Sequence, residues 1–245
     1  MSTDAEWEKW GRQDPYFGVI TNPKFRGRNL DEAARSEFFE SGRWHAQYVL
    51  AACQRTIDPA FAPQRVLDFG CGVGRLLIPF AAQAREVVGV DVSISMLQEA
   101  RRNCDRDAVH NVTLLRGDDE LSALDGQFDL VHSAIVFQHI EPERGRVIFA
   151  RLVDRLAPGG VGAIQVTYAK ARHAVTWGWP PPPEAPPVLA VPTPPGQDPA
   201  MQMNSYRLND LLFALQQAGI QRFSTEFTDH GGELGVFLFF QKPAN

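Results

Sequence analysis

A chain of 245 residues, 44% hydrophobic and with a formal net charge of -5, can bury one substantial core, and α/β folds of this length often close as a single domain. The acidic balance argues against a broad basic face for nucleic-acid backbones, so nucleic acid is disfavoured as a substrate. Residues 1–10 are polar and acidic rather than a secretory signal, no stretch reaches the roughly 20 apolar residues of a membrane span, and Cys53, Cys71 and Cys104 lack metal or CxxC spacing; the expectation is a soluble, cytoplasmic protein with reduced, structural thiols and no membrane partner.

The first elements predicted are two helices, Leu30 to Glu40 with Asn29 as cap and Glu32 three residues on, and Trp44 to Arg55, separated by Ser41-Gly42. Ahead of them, Trp7, Trp10, Tyr16, Phe17 and Phe25 suit either a lid over a ligand or the ordinary packing of large rings. The most informative segment follows: Val66-Leu67-Asp68-Phe69-Gly70-Cys71-Gly72-Val73-Gly74, an apolar strand with an acid near its end and then a glycine at every second position. Glycines spaced in this way remove the Cβ atoms that block positive φ and close approach, and the helix expected from Arg75 presents free N–H groups to a nucleotide-like cofactor. That helix carries Leu76, Leu77, Phe80 and Ala81, and tolerates Pro79 only near its first turns. The dinucleotide fingerprint GxGxxG would need a glycine where this chain has Arg75, which weakens a nicotinamide reading.

A second strand, Val87-Val88-Gly89-Val90-Asp91, also ends in an acid, and a carboxylate there can accept both ribose hydroxyls. Ser95 and Gln98 have capping-box spacing, so a helix is expected over Ser93 to Arg102, with Met96 beside an adenine. Val112 to Leu115 leads into Arg116-Gly117-Asp118-Asp119, and Phe128 to Ser133 forms a fourth strand. Pro142 suits the first position of a helix whose Ile148, Phe149, Leu152, Val153 and Leu156 form an apolar stripe. Leu156-Ala157-Pro158-Gly159-Gly160 closes that helix, and Val161 to Tyr168 is the fifth strand. Trp177 to Ala200 is dense in proline and reads as an extended loop, either a flap on the substrate side or a surface excursion that could dock a partner. A helix over Leu208 to Gln217 stops at Gly219, and strands Gln221 to Thr228 and Leu234 to Gln241 are joined at His230-Gly231-Gly232.

In this order, Asp68 with its glycine turn, Asp91, the Gly117-Asp118 pair, the Phe128–Ser133 strand and the Leu156–Gly160 turn resemble the class I S-adenosylmethionine-dependent methyltransferases over roughly residues 60–170. The resemblance implies a doubly wound, mostly parallel seven-stranded sheet, Rossmann-like, with an antiparallel C-terminal strand and an N-terminal helical lid. It divides one domain into a helical cap (1–60), a cofactor core (61–170), the Pro-rich insertion (177–200) and a closing helix and strand pair (206–245). It further implies S-adenosyl-L-methionine as cofactor. Asp68 would hold its amino end, with Gly70, Cys71, Gly72 and Gly74 around the methionine part. Asp91 would take the ribose, Val92, Met96, Gly117, Asp118 and Asp119 would surround the adenosine, and Ser133 would lie beneath the sulfonium.

Methyl transfer from a sulfonium is an in-line displacement in which positioning dominates. A hydroxyl acceptor also needs a base, and His139, in Phe137-Gln138-His139-Ile140, is the candidate; the alternative is that it only lines the pocket or caps the next helix. His132 points away from Ser133 and reads as core, while His45, His110, His173 and His230 show no clustering and give no metal site. Under the resemblance, Ser133-Ala134-Ile135-Val136 stands where base- and amide-methylating relatives carry an Asn-Pro-Pro-Tyr type tetrapeptide, and the metal-holding acids of catechol-type relatives have no match. The expected activity is therefore metal-free transfer to a small-molecule acceptor, most plausibly at oxygen. A non-catalytic cofactor-binding partner protein is the alternative, and a homodimer remains compatible with everything in the chain.

Overall fold

The computed structural model describes residues 3–171 and 198–244; the Pro-rich segment with Trp177 and Trp179, and His173 before it, lies outside them except for residues 198–200. The strands are β1 (Arg65–Phe69), β2 (Glu86–Asp91), β3 (Val112–Arg116), β4 (Phe128–Ser133), β5 (Leu156–Lys170), β6 (Arg222–Asp229) and β7 (Glu233–Gln241). They form one sheet in the order β3-β2-β1-β4-β5-β7-β6. The first five run parallel, and β7 inserts antiparallel between β5 and β6, the doubly wound arrangement with an antiparallel ending that the motif order implies. Because the strand order reverses between β1 and β4, a crevice opens beyond their C-terminal ends.

Both faces of the central strands are covered, and so they read as continuous apolar runs rather than alternating ones. Leu67, Val88 and Val131 face the cluster beneath α6 (Pro142–Asp154) and α7 (Leu208–Gln217), whereas Val66, Val87 and Leu130 face the one built with α3 (Glu32–Thr56) and α4 (Leu77–Ala81). The expected stripe on α6 packs as read, with Ile148, Phe149, Leu152 and Val153 buried and Pro142 in the first turn.

Several local readings need correction. The two leading helices are one, α3, because Gly42 is not a break: a Cβ there would stand 2.0 Å from the carbonyl oxygen of Arg75. The glycine lets the helix touch the turn after β1. Its cap is Asp31, whose side chain accepts from the Ala34 N–H at 2.8 Å, whereas Asn29 donates to the Pro23 carbonyl. The next helix, α5 (Ile94–Arg106), is capped by Ser93 rather than opened by Ser95, with Ser93 Oγ accepting from Met96 N–H at 3.1 Å. Regular helix after the glycine turn is short, Leu77–Ala81, with Pro79 at its third residue. The fifth strand begins at Leu156, so the Pro158-Gly159 bend lies inside β5.

Ahead of α3, α1 (Thr3–Gln13) and α2 (Pro15–Val19) fold onto the sheet's C-terminal end. Trp10, Tyr16, Phe17 and Phe25 bury against Phe38, Phe39, Val73 and Met96. Each such ring contributes roughly 1.5–3 kcal/mol on burial. The rings therefore pack as a cluster, and that cluster sits on the glycine turn; Trp7 lines the crevice itself. Past the Pro-rich segment the chain returns to this cap, with Asp198 paired to Arg26 and the Ala200 N–H donating to Glu6 at 2.8 Å.

Candidate functional site

The crevice beyond β1 and β4 is lined mainly by apolar side chains with a few converging polar groups, among them Asp68, Arg75, Asp91, Asp118 and His139, the make-up of a small-ligand site. Its inner wall is the turn after β1. The Gly70 and Cys71 N–H groups both donate to the Val90 carbonyl, at 2.7 and 3.0 Å, which ties the turn to the end of β2. Gly70 has φ +77°, and a Cβ there would meet Val136 Cγ2 at 2.3 Å, so both its conformation and its surroundings require glycine. Asp91, at the tip of β2, accepts from Gly72 N–H and Ser93 N–H, one on each oxygen at 2.9 Å. Burial is the main cause that pushes its carboxyl up to about 6, against the downward pull of those two bonds.

Asp68 is 2% exposed. Its Oδ1 accepts from His132 Nδ1 at 2.8 Å, while Oδ2 is buried on the crevice wall with no partner. His132 is core, as read, but its role there is to hold this carboxylate. Its Nε2 meets His45 Nε2 at 3.1 Å, so His45 is not the isolated histidine that its position in the chain suggests. Arg75 was not anticipated. It is 8% exposed, lines the crevice, and reaches Ser41 Oγ with Nη1 at 3.3 Å while Nε has no partner. Burial lowers its guanidinium to about 10, and Asp68 opposes that shift. Its signal in the sequence is a cation directly after the glycines, at the position where the dinucleotide fingerprint has its third glycine.

At the other end lie Val92, Met96, Gly117, Asp118 and Asp119. Asp118 accepts from the backbone N–H and the hydroxyl of Ser122, which hold its carboxyl below the usual range. Asp119 pairs with Arg144, whose guanidinium also grips Asp4 of α1 at 2.7 and 2.9 Å. Glu8 fastens the middle of α1, accepting from Ser93 Oγ and Ser95 Oγ at 2.8 Å each. Those hydroxyl and N–H groups at the start of α5 take Glu8 to about 2 despite its partial burial. The first helix is thus strapped across the crevice at two points.

Two anticipated residues do not line it. Ser133 is buried within the sheet, donating to the Phe69 carbonyl at 3.0 Å, and Gly74 faces Ala100 of α5. The floor is Ala134-Ile135-Val136 instead. Ile135 has φ +60°, a strained conformation for a β-branched residue, and its N–H donates to Gln165 Oε1 at 3.0 Å.

His139 lines the crevice, 6% exposed, with its ring 4.9 Å from that of Trp7. Its Nδ1 is 2.8 Å from the Gln202 carbonyl, so Nδ1 carries the proton and Nε2 is the acceptor. Gln138 Nε2 lies 3.3 Å from that acceptor, and Thr167 Oγ1 donates to Gln138 Oε1 at 2.9 Å, which sets the amide's orientation. Burial lowers the imidazole to about 4, so the ring is neutral near pH 7. Among the described residues no group of three or more His, Cys, Asp or Glu could hold a metal ion, and no helix is long and apolar enough to cross a membrane.

The residues fit an adenosyl amino acid. A buried carboxylate oxygen without a partner suits an ammonium, a buried guanidinium nitrogen without one suits a carboxylate, and a carboxylate on a strand tip suits a vicinal diol.

Residues 66–160 match the family model described as a methyltransferase domain. Over 102 residues the chain is 32% identical to an uncharacterized methyltransferase of Synechocystis sp., covering 41% of this chain and 46% of that protein. It is 35% identical over 113 residues to trans-aconitate 2-methyltransferase of Deinococcus radiodurans, covering 44% and 41%. A 23S rRNA (uracil-C5)-methyltransferase of Aeromonas hydrophila is 41% identical over 71 residues, 26% of this chain and 16% of that one. The chain spans less than half the length of these curated relatives. The structure of magnesium protoporphyrin IX methyltransferase from Synechocystis PCC 6803 with bound S-adenosylhomocysteine superposes with a TM-score of 0.61 at 19% identity, covering 87% of this chain and 88% of that one.

Proposed function

We propose, from the premise that this chain carries a class I S-adenosylmethionine-dependent methyltransferase domain, that its crevice binds S-adenosyl-L-methionine and serves methyl transfer to a small-molecule acceptor, most directly at oxygen. The observation that carries this reading is the buried, partnerless Oδ2 of Asp68 beside the glycine turn, one strand away from Asp91. A buried carboxylate oxygen without a partner costs about 1–3 kcal/mol or more, a cost that an ammonium in the crevice removes.

Asp68 would hold the amino group, oriented by His132 and through it by His45. Arg75 would take the carboxylate, Asp91 the ribose hydroxyls, and Met96 with Gly117, Asp118 and Asp119 the adenine side. The bound cofactor would supply an electrophilic methyl carbon. The Ala134–Val136 floor and Trp7 would exclude water and align the acceptor opposite sulfur, which is where the rate is gained. His139, neutral with Nε2 as acceptor, would take the hydroxyl proton once that hydroxyl displaces the Gln138 amide. An acceptor at oxygen is supported by the absence of an amine-gathering tetrapeptide after β4 and by the similarity to a relative named for a small tricarboxylate. Buried free Cys53, Cys71 and Cys104 suit a cytoplasmic setting.

The test is calorimetric titration with S-adenosylmethionine and S-adenosylhomocysteine, followed by a screen of acceptors with labelled cofactor read by product mass. Micromolar binding with product from a small hydroxylated acceptor is the expected result. Neither heat nor thermal shift with either compound would overturn the reading; binding without turnover on any acceptor would favour a non-catalytic partner protein.

A further inference from the structure

We propose that β6 is a self-complementary edge through which two copies of this chain pair, continuing one sheet across a twofold axis. In the sheet order β6 is terminal, and among the described residues no strand pairs with its outer side. Exposed edges are usually blunted by charged side chains, proline, a bulge or brevity, and the charges here are Arg222 and Asp229 at the two ends of the strand and Glu226, which is already paired to Tyr48 and Arg55 of its own chain. This one has eight residues, Arg222-Phe223-Ser224-Thr225-Glu226-Phe227-Thr228-Asp229, without proline or lysine, and its pairing to β7 has no register shift.

Its two faces differ. Ser224, Glu226 and Thr228 are half-buried toward α3, where Tyr48 donates to Glu226 at 2.7 Å and Arg55 pairs with the same carboxylate. Phe223, Thr225 and Phe227 share the other face, and Phe223 and Phe227 are 51% and 77% exposed. Phe227 packs on one side against Tyr168, ring centroids 6.0 Å apart, and among the described residues the two rings with Thr225 between them leave a continuous stripe along the edge, the kind of exposed apolar surface that marks an interaction site.

Twofold symmetry restricts the pairing. An antiparallel strand pair with its axis normal to the sheet keeps each face on its own side, so residues directly opposite must share a face. Centred on Thr225, the register places Phe223 opposite the partner's Phe227 and Phe227 opposite the partner's Phe223, two aromatic cross-strand pairs on the exposed face. On the other face Ser224 then meets the partner's Glu226, an acid opposite a hydroxyl donor. Centring on Glu226 would set two carboxylates opposite each other and leave the rings unmatched. Centring on Ser224 would set Phe227 opposite Gln221. The strand's chemistry therefore selects a second copy of itself in one register.

Sedimentation velocity and light scattering on the full chain across a concentration series test this pairing. The expected result is a reversible dimer of twice the 27.3 kDa chain mass. Phe227→Lys, at an exposed site, should leave cofactor binding and the melting temperature of the dilute monomer unchanged while weakening the dimer by up to about thirtyfold, since it removes two aromatic pairs of up to about 1 kcal/mol each. Mild oxidation should cross-link Thr225→Cys to its symmetry mate, and should leave Asp229→Cys, whose mate lies near Gln221, unlinked. A monomer at all concentrations up to about 100 µM overturns the proposal. A dimer indifferent to Phe227→Lys, or one that Thr225→Cys does not cross-link, also overturns it, as does polydisperse aggregation in place of a defined dimer.

Discussion

Asp91 gives the proposed cofactor site a pH dependence that can be worked out in advance. Its carboxyl titrates at about 6 in the free protein because burial outweighs the N–H groups of Gly72 and Ser93. Ribose hydroxyls donate to the ionised form, so ligand binding selects the carboxylate, and apparent affinity scales with the fraction ionised. From pH 8 down to 7 affinity should be flat; at pH 6 it should halve, and at pH 5 it should be roughly tenfold lower, by simple linkage. Two charge-assisted bonds of about 1.5–3 kcal/mol each make Asp91→Asn roughly two to four orders of magnitude weaker at pH 8, and the gap should close by about tenfold at pH 5. The stability sign runs the other way. A carboxyl raised from 3.8 to about 6 stabilises the fold fully below 3.8 and loses that contribution as pH rises through 6. Asp91→Asn should therefore flatten the stability curve of the free protein over that window by about 3 kcal/mol. The assay is calorimetry with S-adenosylhomocysteine at half-unit steps between pH 5 and 8, on the parent and the variant. A parent affinity that is constant from pH 7 to 5, or a variant that keeps the parent's slope, refutes the reasoning.

Gly42→Ala would favour an isolated helix by about 1 kcal/mol, yet here α3 or the Arg75 carbonyl must retreat by over 1 Å. Chemical denaturation should show a net loss of about 1–3 kcal/mol, accompanied by weaker cofactor binding. Arg75→Met keeps the stem and removes the buried charge; affinity for S-adenosylhomocysteine should fall about tenfold or more while affinity for adenosine, which lacks the carboxylate, stays unchanged, and calorimetry with both ligands checks it. His139→Ala should keep cofactor affinity and lower kcat by about two orders of magnitude or more if the ring takes a proton. With burial holding that imidazole near 4, the parent's rate should not fall between pH 8 and 6 through this group, and a kcat inflection near 6.5 that vanishes in the variant would contradict the assignment of its environment.

The fold was legible because its determinants are local and repeated: apolar runs ending at Asp68 and Asp91, a glycine turn between strand and helix, and a strand pair closing the chain. Contacts made across the sequence escaped. Gly42 looks like a helix break until the Arg75 carbonyl is seen against it. Arg75 itself looks like a defect in a glycine pattern until its unpartnered Nε is seen at the crevice wall. Alternation along β4 correctly buried His132, but it gave no sign that Ser133 would spend its hydroxyl on the Phe69 carbonyl and leave the floor to Ile135. The grip of Arg144 on both Asp4 and Asp119 joins residues more than a hundred positions apart, which no spacing rule reports.

Ile135 holds its left-handed turn through a side chain on a neighbouring strand, not through a glycine of its own. The chamber's shape is thereby adjustable from behind. A shorter or longer amide at position 165 would raise or lower the bend while every lining side chain kept its identity, so acceptor preference in this protein can drift by changes that never touch the acceptor.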